Sequence, residues 1–212
     1  MRQRQSIIAL LLLVLLALPA PCRGEERLLV YEEVVTGGAD PATPLPMLIA
    51  IHGLGGSPGT FQRLFTAWSD VPARVIFPRG PAASGRGWSW FATEIRHGTV
   101  VKVSVEDIRS SAARIAALTE HLVRTRPVVG KPVVTGFSQG GVLAFVVAVL
   151  SPELVSGAIP MGGWLPPELR PAGPAGSGRA PIRALHGAAD SLVPYLRTKE
   201  IVEALAAAGW DA

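Results

Sequence analysis

Cysteine is almost absent: Cys22 is the only one in 212 residues. A single thiol excludes an intramolecular disulfide. It also lies in a segment expected to be removed, which excludes a thiolate nucleophile or thiolate metal site from the mature chain. Charge is sparse, at 17% of residues, and the 20 basic residues fall to 17 against 16 acidic once Arg2, Arg4 and Arg23 are set aside. No run of five like charges occurs, so the electrostatic footprint of a nucleic-acid partner is missing. Histidine is scarce too, with four copies, and no His/Asp/Glu set has metal-ligand spacing. Neither a metal nor an organic cofactor is expected. The longest apolar stretch, around Ile7–Ala17, is too short to span a bilayer, so no membrane span is expected in the mature chain.

What is present begins with that stretch. Arg2 and Arg4 precede it, and the small-residue windows Ala20-Pro21-Cys22 and Cys22-Arg23-Gly24 follow it. Residues 1–24 therefore read as a cleaved export signal, leaving one exported domain over 25–212. Half of the composition is apolar, enough for a sizeable core.

Two kinds of segment alternate along that domain. Strands are expected at 27–35, 47–51, 73–77, 132–135, 154–160 and 182–185. Helices are expected at 57–69, 104–124, 140–150 and 194–208. In the first helix Phe61, Leu64, Phe65 and Trp68 fall at helical spacing. In the second, Ser104 and Asp107 read as a capping box and Ile108, Ala112, Ile115, Leu118 and Leu122 as the inward stripe. Gly209 stops the last helix. Strand–helix alternation with continuously apolar strands implies a mostly parallel sheet covered on both faces. Ligands on such sheets bind at the carboxyl ends of the strands.

One such end reads Gly136-Phe-Ser-Gln-Gly140, a G-x-S-x-G match between an apolar strand and an apolar helix. Glycines at 136 and 140 would let a sharp strand-to-helix turn hold Ser138 exposed at a helix N-terminus, as a nucleophile elbow does. A tetrahedral oxyanion would need two donors already aimed at it. The backbone N–H of Gln139 is one candidate. Leu54, in the Gly53-Leu-Gly-Gly56 turn after the strand ending at Ile51, is the other. Asp190, in His186-Gly-Ala-Ala-Asp-Ser-Leu-Val-Pro194, is the candidate acid at a third strand end, with a turn or capping role as the alternative.

HGLGGS, PRGP followed by WSWF, GFSQGG and HGAADSLVP stand in the order seen in the α/β-hydrolase family of small carboxylesterases, lysophospholipases and acyl-protein thioesterases, which the chain resembles from about Arg27 onward. The resemblance implies a serine hydrolase of small-molecule carboxylic esters. Ser138 would be its nucleophile, Asp190 its acid, and Leu54 and Gln139 its oxyanion donors. The family's base, a histidine in a Gly-His loop after one further strand, has no counterpart, because no histidine follows Asp190. The chain therefore reads as lacking the family's last strand and helix. It is expected to be inactive as it stands, poorly stable, and left with an uncovered apolar face; a non-catalytic binding protein is the alternative. Trp90, Phe91 and Trp164 are candidate substrate-binding aromatics, with a packing role equally open. His52 and His186 are expected to brace their loops, His121 to face solvent, and His97 alone to have some prospect of approaching the site.

Overall fold

A computed structural model describes residues 28–65, 70–171, 173 and 179–212. The expected signal at 1–24, Trp68, and part of the 163–179 loop lie outside the described residues.

Five strands form the main sheet: β1 (Tyr31–Val35), β2 (Met47–Ile51), β3 (Arg74–Pro78), β8 (Val133–Phe137) and β9 (Gly157–Met161), in the order β1-β3-β2-β8-β9. Only β1 runs antiparallel to its neighbour; the β3–β2, β2–β8 and β8–β9 pairs are parallel. This is the mostly parallel sheet expected of an α/β-hydrolase. The apolar strands are explained by burial on two faces. Met47, Ile49, Ile51, Ile76, Val134 and Ala158 join one core, while Ala50, Val75 and Phe77 join another. Successive side chains of a strand point to opposite faces, so a run with no polar member serves both.

The first face is covered by α2 (Val105–Thr125) and α3 (Gln139–Leu150), and α4 (Tyr195–Ala207) adds Ile201 and Leu205 to the same core. The α2 stripe is as expected, with Ile108, Ile115, Leu118 and Leu122 fully buried. The capping box is only half formed. Ser104 Oγ accepts from the Asp107 N–H, but Asp107 Oδ2 accepts from Ala92 N–H instead of returning to Ser104. The Ser104 N–H is already committed to the Ala92 carbonyl, which frees that carboxylate.

On the second face the expected helix over 57–69 is much shorter. α1 is Pro58–Gln62, capped by Ser57 through a reciprocal Ser57–Thr60 box. Beyond it the chain turns, and Leu64 is 62% exposed instead of joining an inward stripe.

The expected strand at 182–185 forms no continuous ladder. It lies parallel beside β9 through isolated bridges at Ile182 and Leu185. Its outer side is met at Asp211, whose carbonyl accepts from Ile182 N–H. Two hairpins went unrecognised in the sequence: β4 (Ala82–Ser84) with β5 (Gly87–Ser89), and β6 (Thr93–Arg96) with β7 (Thr99–Val103). The second turns at His97-Gly98, both at positive φ, the geometry of a tight two-residue hairpin.

Candidate active site

Ser138 stands where β8 ends and α3 begins. Its backbone has φ 54° and ψ −114°, and it is one of two described non-glycine residues at positive φ. Holding a residue with a Cβ there costs about 1–3 kcal/mol. The surroundings enforce it. A Cβ on Gly136 would lie 2.4 Å from the Gly140 carbonyl oxygen, and one on Gly140 would lie 2.0 Å from that of Ile51. The turn can close only with glycine at both positions. Ser138 N–H donates to the Met161 carbonyl, and Val142 N–H closes the first helical bond back onto Ser138. The Gln139 N–H is thus left at the helix N-terminus, without an intrahelical partner.

The 53–56 turn faces the serine, since a Cβ on Gly53 would sit 3.3 Å from Ser138 Cβ. The turn is stitched to β5. Gly55 N–H donates to the Trp88 carbonyl at 2.9 Å, and Trp88 N–H returns to Gly56 at 2.8 Å. Leu54 is 41% exposed, as a residue at the rim of a cleft would be.

His52 braces this turn from behind, as expected. Its Nε2 accepts from the Gly80 N–H at 3.1 Å, which puts the ring proton on Nδ1, 2.7 Å from the Gly53 carbonyl. Burial lowers its pKa, and the bond to Gly53 opposes that in part. The ring is therefore neutral and both nitrogens are occupied. His186 is committed too: Nε2 lies 2.8 Å from the Val193 carbonyl, and Nδ1 lies 2.8 Å from Thr198 Oγ1. His97 is exposed at the tip of the β6–β7 hairpin, and His121 lies on α2. No histidine with a free nitrogen lines the cleft among the described residues.

Asp190 lies at the same end of the sheet. Its Oδ1 accepts from Leu192 N–H at 3.0 Å and Val193 N–H at 2.9 Å, so it folds its own loop. Its Oδ2 lies 3.4 Å from His186 Nε2 and 3.8 Å from where a Gly162 Cβ would be, beside the Phe137 ring. No hydrogen bond joins it to Ser138 among the described residues.

Ser138 and Gln139 line a cleft of about 340 Å³. Leu54, Phe91 and Trp164 line it as well, so two of the three candidate aromatics are at its wall. Trp90 is not. It is 1% exposed, stands behind the wall, and gives its indole N–H to the His52 carbonyl at 2.9 Å. The remaining wall comes from residues not anticipated, among them Thr93, Ile95 and Val100 of the β6–β7 hairpin and Leu192. The hairpin is fastened to the Asp190 loop by Val100 N–H to the Leu192 carbonyl and Thr99 Oγ1 to the Ser191 carbonyl. Alternation in TEIR and TVVKV around a His-Gly pair was the available signal for it. Among the described residues there is no group of three or more His, Cys, Asp or Glu that could hold a metal, and no helix is long and apolar enough to cross a membrane.

A parallel sheet carrying a strained serine at a strand–helix corner defines the α/β-hydrolase class. Within it, residues 31–211 match the phospholipase/carboxylesterase family, and the chain belongs to that family. Over 169 residues it is 29% identical to NocK, an esterase by name, of Nocardia uniformis subsp. tsuyamanensis. The match takes in 73% of this chain and 43% of NocK, so the chain spans less than half that relative's length. The crystal structure of esterase PE8 is similar at TM-score 0.71 and 19% identity, covering 87% of this chain and 86% of that one. The Bacillus cereus carboxylesterase is similar at TM-score 0.68 and 16% identity over 85% and 82% of the two chains. Zea mays acyl-protein thioesterase 2 is similar at 0.66 and 23% over 86% of each. At these identities the likeness is one of fold.

Proposed function

We propose that this is a serine hydrolase of small carboxylic esters whose nucleophile is Ser138. The observation that carries the reading is the positive-φ serine at the β8–α3 corner, opening on an apolar cleft beside the Gly53-Leu54 turn. Ser138 Oγ attacks the ester carbonyl, and the negative charge that develops is received by the N–H groups of Leu54 and Gln139. The alcohol leaves, an acyl group remains on Ser138, and water releases it as the acid. Among the described residues the cleft wall has no Asp, Glu, Lys or Arg, which favours an uncharged acyl portion packed against Phe91 and Trp164. Asp190 is the family's acid by position. Export after removal of residues 1–24 belongs to the same reading.

The serine proton needs an acceptor. Both histidines behind the site spend their nitrogens on backbone and Thr198. The 212-residue polypeptide therefore turns over slowly. In subtilisin, a worked case for this chemistry, losing the histidine costs about 10⁶ in kcat. The same observation favours a second reading, a binding protein that keeps the cleft without turnover. A fluorophosphonate probe separates the two. The hydrolase reading expects slow labelling confined to Ser138, abolished by Ser138→Ala and accelerated by added imidazole. Labelling that ignores imidazole and survives Ser138→Ala would leave only the binding reading. Rapid labelling without imidazole would reveal a base within the chain.

A further inference from the structure

We infer that Trp90 is a positioning residue that sets the spacing between the two halves of the oxyanion hole. The inference rests on the reading of Leu54 and Gln139 as the oxyanion donors. Those donors lie on separate elements, the turn after β2 and the first turn of α3, and something must fix one against the other. Trp90 touches both. Its indole N–H donates to the His52 carbonyl at 2.9 Å, two residues before Leu54. Its backbone N–H donates at 2.9 Å to the side-chain Oε1 of Gln139. The residue that carries one donor on its main chain is thus gripped by its side chain, and the grip comes from the residue that holds the other half.

Both attachments are rigid. Gln139 is 4% exposed, and its amide is committed throughout. Oε1 also accepts from Ser89 Oγ, and Nε2 donates to the Phe91 carbonyl at 2.8 Å and Thr93 Oγ1 at 2.9 Å. Trp90 is anchored from the far side by Ser111 Oγ of α2, which donates to its carbonyl at 2.6 Å. Its ring lies tilted against that of His52, with centroids 5.1 Å apart. A core position that needed only volume would be served by phenylalanine. A flat, stiff side chain with a donor at its far edge serves as a spacer between two polar points. The same grip joins the cleft wall at Phe91 and Thr93 to the oxyanion donors, so the acyl-binding surface and the charge-receiving amides keep one register.

The test uses the 212-residue chain. An enzyme without its base still gains about 10³–10⁴ over water from the oxyanion hole and binding. Hydrolysis of a short-chain p-nitrophenyl ester therefore reports on the hole directly. Trp90→Phe keeps the ring and removes the indole donor. It is expected to lower kcat by about tenfold to a hundredfold, as a small misplacement of reacting groups does, with KM unchanged. The oxoester-to-thionoester rate ratio is expected to fall, because sulfur accepts hydrogen bonds poorly and gains little from the hole. A residue that only stabilised the fold would shift the melting temperature without moving that ratio. Gln139→Met cuts the other attachment and is expected to act in the same direction, and the double variant is expected to be no slower than the slower single. In crystals of either variant the Leu54 N to Gln139 N separation is expected to change by more than about 0.5 Å, the tolerance of a working constellation. An unchanged separation would overturn the inference, whatever the activity. So would unchanged kcat and rate ratio in Trp90→Phe. If the parent chain accelerates no ester at all, the catalytic reading of the cleft fails, and the crystallographic separation alone decides the role of Trp90.

Discussion

The two faces of the sheet are built from the same strands and are covered very differently. On the first, Met47, Ile49 and Ile51 meet Leu143, Phe145 and the α2 stripe, and every one of these is 4% exposed or less. On the second, among the described residues, Leu48 and Val75 pack with Phe61 of α1 and Phe65 of the turn after it, and Ile159 lines a groove beside them. Phe65 stacks edge-on against Phe61 and Phe77 there, with centroids 5.4 Å and 5.6 Å away. Beside that cluster an apolar groove of about 390 Å³ runs past Leu48, Thr135, Met161 and Leu185. Strands buried on two faces require two covers. Long amphipathic helices supply the first, and among the described residues the second is only partly supplied. The Ser138 corner belongs to the well-covered side, because α3 must press its glycines against β2 and β8 to shape it.

The largest expected contrast is between leucine truncations on the two faces. Leu143→Ala, on the covered face, is expected to cost about 2–5 kcal/mol. Leu64→Ala, on the open one, is expected to stay within about 0.5 kcal/mol. Urea unfolding of both variants checks this, and similar losses would erase the distinction between the faces.

Acid should destabilise the molecule through His52. Its folded pKa lies below the ordinary 6.5, because burial disfavours the charged ring. Between that lowered value and 6.5 the unfolded chain binds a proton that the folded chain refuses. Stability therefore falls as pH drops through this window, by at most about 1.4 kcal/mol per pH unit. Thermal melts on both sides of the window should show a smaller acid loss in His52→Asn than in the parent.

A smaller effect is expected at the start of α2, whose buried stripe joins the core on the first face. Ser104→Ala removes the oxygen that accepts from Asp107 N–H and should cost about 1 kcal/mol, read as a shift in the denaturant midpoint. The smallest effect on stability, and the sharpest test of the open face, is Leu64→Glu. The open face is expected to make the chain self-associate; in the variant the melting temperature should barely move, while that association, followed by light scattering, should fall. Undiminished association would locate the adhesive surface elsewhere.

Much of this was legible before any coordinates. The strand at 47–51 and the α2 stripe announce themselves because burial on two faces, or along one helical stripe, writes a periodic apolar pattern. The serine corner was legible because a turn that tight admits almost no sequence but glycine, a small polar residue and glycine. The β6–β7 hairpin went unread although short alternating runs flank its His-Gly pair, and its place against the cleft was not legible, being fixed by bonds to Ser191 and Leu192 nearly a hundred positions away. Helix α1 gives way after Gln62 to a tighter turn, in which Leu64 N–H donates to the Phe61 carbonyl and Phe65 N–H to that of Gln62, and spacing alone does not reveal this.

Sequence by itself determined the strand–helix alternation, the glycine-bracketed serine and the scarcity of histidine, all of which are local chemistry. Tertiary structure alone decided that Trp90 is buried between the His52 carbonyl and the Gln139 side chain while Phe91 beside it lines the cleft, and that His52 is sealed by two backbone bonds. The physical reason is that an aromatic or imidazole ring suits core, cleft or surface equally well. Which role it takes depends on the donors and acceptors that distant segments bring within hydrogen-bonding reach.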